Sequence, residues 1–406
     1  MTTEQTQVEF DPNATQVAEH APQSEGYWNR VWLTFNKRLI NRLSMWMLMV
    51  FGTLYVAADL IANGSPLLLS YQGGWYSPWL QRTDSFELRW AIYPALVAAI
   101  LMVLLWRQTK RHRFLVIAVL TVLLTGLPNM TFSPLPQDLQ MVSDWRRFSF
   151  EMDQGDWAIF APIPYSMDDT DLAARLGSPE SLSWGNHLLG TDDLGRDLAA
   201  RLVHGTRVSL LVGFVSVSIY VLIGLLLGGL AGFYGGWIDL VLSRVIEVVI
   251  CFPSFFLIIT VLALVDPSIW NIMIVIGLTR WTGVARLFRA EVLKVKNMEY
   301  IAAARAMGNK DAVILLRHVL PNAIAPVLVS ATFGIAGAIL VESSLSFLGF
   351  GVQAPTPSWG EALSLARTYP YYWWIVTWPG VLIFLTVTAY NLAGEGLRDA
   401  TDPRQV

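Results

Sequence analysis

The chain has 406 residues, of which 54% are hydrophobic and only 15% are charged. Soluble domains carry about a quarter charged residues, so this composition argues against a soluble protein and favours a polytopic membrane protein. The net charge is −3, and Cys251 is the single cysteine, which excludes an intramolecular disulfide or a cysteine metal cluster.

The N-terminal segment 1–30 is rich in Gln, Thr and Glu and has no apolar periodicity. This composition predicts a disordered tail. The first apolar run begins near Met45, far along the chain and without the small-residue cleavage site of a signal peptide. We therefore expect no cleaved leader.

Apolar runs long enough to cross a bilayer, at about 20 residues each, recur along the chain. They lie near residues 44–62, 90–106, 114–130, 208–231, 245–265, 269–285, 322–342 and 372–393. The sequence therefore predicts eight transmembrane helices.

The distribution of Lys and Arg predicts the orientation of these helices. Lys37 and Arg38 precede the first span, and RQTKRHR at 107–113 holds four Lys/Arg in seven residues. Segment 283–321 holds seven Lys/Arg against three acids, whereas 128–207 holds twelve acids against six basic residues. Alternation of the spans then places both termini, 107–113 and 283–321 in the cytoplasm, and 128–207 outside.

Within the outside segment, GTDDLGRDLAARLVHG predicts a capped amphipathic helix that begins near residue 192. Thr191 or Asp192 can accept hydrogen bonds from the free N–H groups of its first turn, and Asp192 and Asp193 favour its positive dipole end. The aspartates lack the alternating spacing and central Gly of a calcium loop. No metal site is predicted.

Gly224, Gly228, Gly232 and Gly236 recur every fourth residue in and after the span at 208–231. Small residues at this spacing let two helices approach closely. The partner helix lies either inside this chain or in another subunit.

Two features mark the predicted span at 245–265. Arg244 and Glu247 have the spacing of an i,i+3 ion pair, which we favour over a functional role for the intramembrane carboxylate. Pro253 removes a backbone donor and predicts a kink or hinge in this helix.

The Ala-rich stretch NMEYIAAARAMGNKDAVILLRHVLPN at 297–322 lies between two predicted spans. Asn297 is a good N-cap, Glu299 lies in the first turn, and the alanines that follow leave one helix face almost bare. Gly308 supplies the left-handed residue that ends this helix.

Asn309 can cap a second short helix, which Leu320–Pro321 closes before the next span. The stretch therefore predicts two short cytoplasmic helices joined by a glycine. They form either an ordinary interfacial hairpin or an element that inserts into a groove of another protein.

This stretch resembles the EAA loop of the integral-membrane subunits of ABC importers. In that motif Glu-Ala-Ala is followed by three residues, Gly, nine residues, an apolar residue, one residue and Leu-Pro. Ala303–Ala304, Gly308 and Leu320–Pro321 fall at those spacings, whereas Ala302 replaces the Glu and His318 replaces the apolar residue. The resemblance implies ATPase-coupling roles for Glu299, Ala303, Ala304, Met307, Gly308, His318, Leu320 and Pro321.

Further stretches resemble the peptide and nickel branch of that family. They are RHVLPN (317–322), LGTDDLGRD (189–197), LSFLGFGVQAPTPSWG (345–360) and WPGVLIFLTVTAYNLAGEGLRDATDPR (378–404). Together they are similar to the C-type permeases of dipeptide and oligopeptide importers.

The first half resembles the Yej-type peptide permeases through WLTFNKRLINRLSMWML, ADLIANGSPLLLSYQGGWYSP and DWAIFAPIPYS. It departs from them at 90–130, where two spans are inserted. The resemblance implies an all-α polytopic fold, a type I permease core of six helices plus this inserted pair. We expect a tail at 1–30, an N-terminal region at 31–206 and the permease core at 207–406.

The resemblance implies the transmembrane permease subunit of an ATP-driven peptide importer in a bacterial-type plasma membrane. The chain has no Gly-x-x-x-x-Gly-Lys-Ser/Thr motif, so ATP and Mg²⁺ are expected on partner ATPases, with no cofactor and no enzymatic activity in this chain. The implied partners are a second permease, two ATPases, an extracytoplasmic peptide-binding protein and membrane lipid, with no nucleic acid.

Three other functions compete with this one. A nickel or other small-solute importer would use the same motifs, because they serve coupling and packing more than substrate choice. An intramembrane enzyme is disfavoured, because the sequence has no His-Glu-x-x-His or Gly-x-Ser-x-Gly motif. A passive channel or receptor would not explain the paired cytoplasmic helices.

Overall fold

A computed structural model of the chain describes residues 27–79, 135–180 with gaps at 141, 143, 151 and 153–154, and 186–401. The predicted spans at 90–106 and 114–130 lie outside the described residues, as does most of the predicted tail at 1–30.

The described chain begins with two helices, α1 (Tyr27–Lys37) and α2 (Leu39–Ile61). Helix α2 contains the first predicted span. The Arg38 guanidinium pairs with the carboxylate of Asp399, near the C-terminus. This ion pair places the start of the first span beside the end of the last one.

A small sheet follows α2 and was not predicted. Its strands are β1 (Leu68–Tyr71), β2 (Gly74–Tyr76) and β3 (Trp157–Ile159), antiparallel in the order β2-β1-β3. With the short helices α3 (Gln137–Gln140) and α4 (Trp145–Phe150), it encloses a hydrophobic cluster separate from the helical core. The fully buried members of this cluster are Leu69, Leu135, Leu139 and Trp145.

Helix α5 (Leu198–Tyr234) is 37 residues long, which corresponds to about 56 Å. The predicted amphipathic helix near residue 192 and the predicted span at 208–231 are therefore parts of one helix. The predicted caps, Thr191 and Asp192, were wrong. Asp197 is the N-cap, and its side chain accepts a hydrogen bond from the Ala200 N–H.

The next predicted span is broken into α6 (Gly236–Cys251) and α7 (Ser254–Leu262), which meet at an angle of 78°. Pro253 stands at the break, as predicted. The Arg244–Glu247 ion pair is formed at 2.6 Å with both side chains exposed, so it belongs to the surface of this chain.

Helix α8 (Ile269–Val295) lies along α5 and leads to the Ala-rich stretch at 297–322. That stretch folds as α9 (Glu299–Ala306), α10 (Asp311–Ile314), a π-helical turn (Leu315–Val319) and α11 (Leu320–Ala323).

Helix α12 (Ala325–Leu348) then returns through the bundle and ends at Gly349, whose φ is +91°. A loop leads to the short helix α13 (Trp359–Ser364) and to α14 (Trp373–Thr401), the last span.

Four helices of the described residues, α2, α5, α12 and α14, are long and apolar enough to cross a membrane, and α6–α7 adds a fifth crossing if its halves form one span. Helix α8 corresponds to the span predicted at 269–285. It is less apolar because it carries Asn271, Arg280 and Arg286. The expectation of an all-α polytopic membrane protein is confirmed, with the small sheet as an addition.

The glycine repeat of α5 faces α8. A Cβ at Gly224 would lie 2.6 Å from the Val284 Cβ, and one at Gly228 would overlap the Ala285 carbonyl oxygen. Gly232 meets α8 in the same way. Gly236 differs from the other three, because it begins α6 with φ +54° and a Cβ there would meet no described atom within 4 Å.

A buried ionic network joins the loop 189–197 to α13. Arg196 Nε donates to Asp192 Oδ2 at 2.6 Å, and Arg201 Nη2 donates to Glu361 Oε2 at 2.7 Å. All four side chains are buried. Arg201 Nε also lies 3.6 Å from Asp192 Oδ2, so this arginine links the loop to α13, next to the end of α5 that precedes its apolar part.

A second buried carboxylate, Glu342 of α12, holds the loop that leads to α13. The Ser346 and Ser358 hydroxyls donate to its Oε1 at 2.8 and 3.0 Å. Ser346 Oγ also accepts from the Val352 N–H. Glu342 therefore fixes both ends of this loop to α12.

Candidate functional site

The inner side of α9, α10 and the π-helical turn belongs to the core of this chain. Ile301, Ala304, Ile314 and Val319 are at most 2% exposed and pack into the main hydrophobic cluster. Apolar residues at helical spacing bury one face of each helix and leave the other free. The pair is therefore anchored to the membrane bundle rather than held by its ends alone.

The turn between the two helices lies at Gly308, whose φ is +79°. The predicted arrangement of helix, glycine and helix is confirmed. Asn309 Nδ2 donates to the Ala304 carbonyl at 2.9 Å, which satisfies one of the free acceptors at the end of α9. A glycine and an asparagine together close the first helix.

The two predicted N-caps were wrong. Met298 is the N-cap of α9 and Lys310 that of α10, and neither makes a side-chain cap hydrogen bond. Asn297 instead donates to the Leu293 carbonyl. Both asparagines therefore satisfy acceptors of the preceding helix, because Asn can donate as well as accept.

The opposite side of α9 and α10 carries exposed apolar residues, which we name the cytoplasmic patch after the side of the membrane predicted for it. They are Tyr300, Met307, Val313 and Leu316. Met307 is 75% exposed and Leu316 is 64% exposed. Exposed basic residues accompany them, namely Arg305, Lys310 and Arg317.

The coupling residues implied by the resemblance divide between the two sides. Glu299, Ala303, Met307 and Gly308 are exposed. Ala304 is only 2% exposed, because its methyl group packs inside this chain, and its implied coupling role stays a prediction.

His318 lies in the π-helical turn, and Leu320 and Pro321 begin α11. Pro321 occupies one of the first two positions of that helix, where a missing N–H removes no intrahelical bond. The π turn was not predicted. It changes the direction of the chain between α10 and the next span.

Polar contacts join the end of α8, which directly precedes α9, to neighbouring helices. Lys296 Nζ donates to the Gly232 carbonyl at 2.8 Å, and Arg289 Nη2 donates to Asp239 Oδ2 at 2.7 Å. These bonds join the end of α8 to the end of α5 and the start of α6. The end of α8 that leads to α9 is therefore tied to both of those elements.

At the opposite end of α5, ring and charge contacts hold the segment that precedes this helix. The Tyr165 and His187 rings lie 4.3 Å apart, and His187 Nδ1 lies 2.9 Å from Asp197 Oδ2. Burial raises the pKa of the Tyr165 phenol, opposed by Arg146, whose guanidinium lies 3.9 Å from the ring centroid. Burial likewise raises the pKa of Asp169.

In the described part of the chain, no group of three or more His, Cys, Asp or Glu side chains could hold a metal ion. Asp192 Oδ1 accepts from the Leu194 and Arg196 N–H groups, and its Oδ2 accepts from the Arg196 guanidinium. This aspartate therefore serves the loop and the ionic network.

The family model of binding-protein-dependent transport system inner membrane components matches residues 224–406. The chain is 39% identical over 303 residues to a dipeptide transport system permease of Alkalihalophilus pseudofirmus, covering 70% of this chain and 96% of the relative. The chain belongs to this family. The resemblance to ABC importer permeases is confirmed.

Further relatives have similar names. A di/tripeptide permease of Pseudomonas aeruginosa is 42% identical, over 61% of this chain and 83% of the relative. A glutathione permease of Pectobacterium atrosepticum is 40% identical, over 61% and 81%. Among solved structures, an inward-facing MetNI methionine ABC transporter matches at 20% identity with a TM-score of 0.41, over 50% of this chain and 97% of that chain.

Sequence reasoning missed the two buried polar networks of this permease. Arg201, Glu342 and Glu361 were not singled out, although each is a charged residue within or beside an apolar segment. That signal could have found them, because charges in such segments are paired or face a polar interior. Their particular partners could not have been read from spacing, since Arg201 and Glu361 are 160 positions apart.

Proposed function

We propose that this family member is the transmembrane permease subunit of an ATP-driven importer of dipeptides or oligopeptides. It is a multi-pass protein, for which we propose the bacterial inner membrane with both termini in the cytoplasm. A second permease, two ATPases and an extracytoplasmic peptide-binding protein complete the complex. ATP is bound by the ATPases.

The observation that carries the coupling role is the two-sided character of α9 and α10. Their inner faces are buried in the membrane bundle, while the cytoplasmic patch is free in this chain. Short amphipathic helices with exposed Met and aromatic residues suit insertion into a groove of a partner. The patch supports an ATPase contact on this side of the chain.

In this mechanism the binding protein delivers a peptide to the outer face. Closure of the ATPases around ATP pushes the cytoplasmic patch, and Lys296 and Arg289 pass the displacement to α5, α6 and α8. The rearranged spans then open the path to the other side of the membrane. Energy enters through differential binding of the two conformations by the ATPases.

The relatives named above support peptides as the substrate class. Two carry the names of di- or tripeptide permeases and one that of a glutathione permease. The alternative of a nickel or other small-solute importer would be favoured instead by metal uptake without peptide uptake in the reconstituted complex.

Cysteine crosslinking tests the ATPase contact. In a Cys251→Ser background, we compare Met307→Cys with Trp237→Cys, because the native side chains are 75% and 76% exposed. We expect a short bifunctional reagent to join Met307→Cys to an ATPase subunit and to leave Trp237→Cys unjoined. Equal yields from the two positions, or none from Met307→Cys, would contradict the proposed contact.

A further inference from the structure

Arg280 places a charge near the middle of α8. It lies 11 residues after Ile269, the first residue of this helix, which corresponds to about 16 Å along the axis. Intramembrane charges are costly and mark functional positions more often than structural ones. The other charged side chains of the bundle give a useful comparison.

Two other arginines of the bundle, Arg207 and Arg289, are paired with carboxylates, whereas Arg280 is not. Arg207 Nη1 and Nη2 donate to both oxygens of Asp59 at 3.0 and 2.7 Å, and Arg289 is held by Asp239. Arg280 makes no hydrogen bond or ion pair with any residue in the described ranges.

The Arg280 side chain of α8 approaches α12 at Gly337. Its Nη1 lies 3.3 Å from the position that a Cβ would take at Gly337. Gly337 occupies an open face of α12, whose exposed residues recur at helical spacing. These residues are Phe333, Leu340, Ser344 and Leu348.

The same face of α12 borders an open cavity. It has a volume of about 410 Å³, lies between α12, α13 and α14, and is lined by Leu340, Ser343, Ser344, Phe347, Leu348, Leu363 and Ile383. The Ser344 hydroxyl already donates to the Leu340 carbonyl. The Arg280 guanidinium has no such partner in the described ranges, and lipid chains would leave its charge unsatisfied.

We infer that Arg280 binds a carboxylate of the transported peptide as the peptide passes along this face of α12. The inference rests on the proposed peptide-import function. Every unmodified peptide ends in a carboxylate, and the planar guanidinium fork can bind both of its oxygens. Gly337 leaves room beside the guanidinium for that group.

Uptake of a matched peptide pair tests this inference. The complete complex is reconstituted in liposomes, and transport of trialanine is compared with that of trialanine amide, at binding-protein saturation verified for each peptide. We expect Arg280→Gln to lower the acid-to-amide uptake ratio by about tenfold, the effect of losing one charge-assisted hydrogen bond. Arg280→Lys keeps the charge and should keep most of the ratio.

Arg286→Gln is the matched control, because Arg286 lies on α8 but is exposed near its cytoplasmic end. We expect this variant to keep the wild-type ratio. If Arg280→Gln also keeps it, or lowers both uptakes alike, the inference is overturned. Equal losses of trialanine and trialanine amide uptake would indicate that Arg280 pairs with a carboxylate of the partner permease instead.

The wild-type complex separates the two proposals. If it imports neither trialanine nor its amide although both saturate the binding protein, the peptide-import function fails. If it imports them and the ratio does not depend on Arg280, only the carboxylate site fails. If the Arg280→Gln complex does not assemble, the acid-to-amide uptake ratio of Arg280→Lys decides. Complete loss of selectivity between the two peptides in Arg280→Lys would contradict recognition by charge.

Discussion

Glycines of this permease serve two different physical purposes at the scale of single residues. Gly228 has an ordinary helical backbone, and its lack of a side chain lets the Ala285 backbone of α8 approach α5. Gly308 has open space around it but adopts φ +79°. The first is required by packing and the second by backbone conformation.

We expect Gly228→Leu to impair folding or assembly, because its Cβ would overlap the Ala285 carbonyl oxygen. Overpacking of this kind costs about 1–3 kcal/mol, and a shift of α8 would also disturb α9. Gly52→Leu is the matched control, since a Cβ at this helical glycine meets no described atom within 4 Å. The measurement is the yield of monodisperse complex in detergent, and equal yields would contradict the packing role.

Sequence patterns predicted residue roles well where one residue type has one physical reason. The four-residue spacing pointed to close helix packing at Gly224, Gly228 and Gly232, and Gly308 ends its helix as predicted. Capping was predicted poorly, because Asn and Asp occur at several positions around each helix start. Asp197 rather than Asp192 is the N-cap of α5, because its side chain accepts a hydrogen bond from the Ala200 N–H. Spacing alone does not determine which of the two aspartates makes this bond.

At the scale of elements, the outer loop between α12 and α13 depends on a buried carboxylate. Glu342 accepts from Ser346 and Ser358, and the Trp359 ring that follows is fully buried with its Nε1 donating to the Leu202 carbonyl. Loop and helix therefore close the bundle beside α5. Removal of Glu342 would leave the buried Ser346 and Ser358 hydroxyl protons without an acceptor.

We expect Glu342→Ala to destabilise the chain by on the order of 3 kcal/mol, because two or more buried hydroxyls lose their acceptor. Glu342→Gln retains an acceptor oxygen and should cost clearly less. The measurement is thermal unfolding of the purified complex, together with proteolysis in the loop 349–358. Equal losses in the two variants would show that charge, rather than hydrogen bonding, is what the loop requires.

Elements were predicted where apolar length dominates, and mispredicted where two signals run together. The spans at 44–62, 208–231, 322–342 and 372–393 correspond to α2, α5, α12 and α14. The polar start of α5 hid its continuity with the span, since periodicity changes there from amphipathic to fully apolar. The small sheet was missed because its strands of three or four residues are too short for a clear alternation.

At the scale of the whole molecule, the permease is a membrane bundle with the anchored helices α9 and α10 at one end and the buried ionic network of the loop 189–197 at the other. The family was predictable from motifs spread over 187–404. Long-range contacts were not, because ion pairs such as Arg201–Glu361 join residues that no local pattern connects. The inserted spans at 90–106 and 114–130 stay a prediction, and so does the resemblance of the first half to Yej-type permeases.

If α9 and α10 pass ATPase movement to the spans, transport depends on the turn at Gly308. Val is β-branched and resists positive φ, at a local cost of about 1–3 kcal/mol, whereas Asn tolerates that conformation. Neither the buried spans nor their packing depends on this turn, so we expect both variants to insert and assemble.

The measurement is peptide uptake together with peptide-stimulated ATP hydrolysis by the reconstituted complex, normalised to complex yield. We predict that Gly308→Val loses both by more than about tenfold, which is what about 1.4 kcal/mol of strain implies, while Gly308→Asn keeps both close to wild type. Normal uptake and normal stimulation in Gly308→Val would contradict the account, because the angle between α9 and α10 would then be irrelevant to transport.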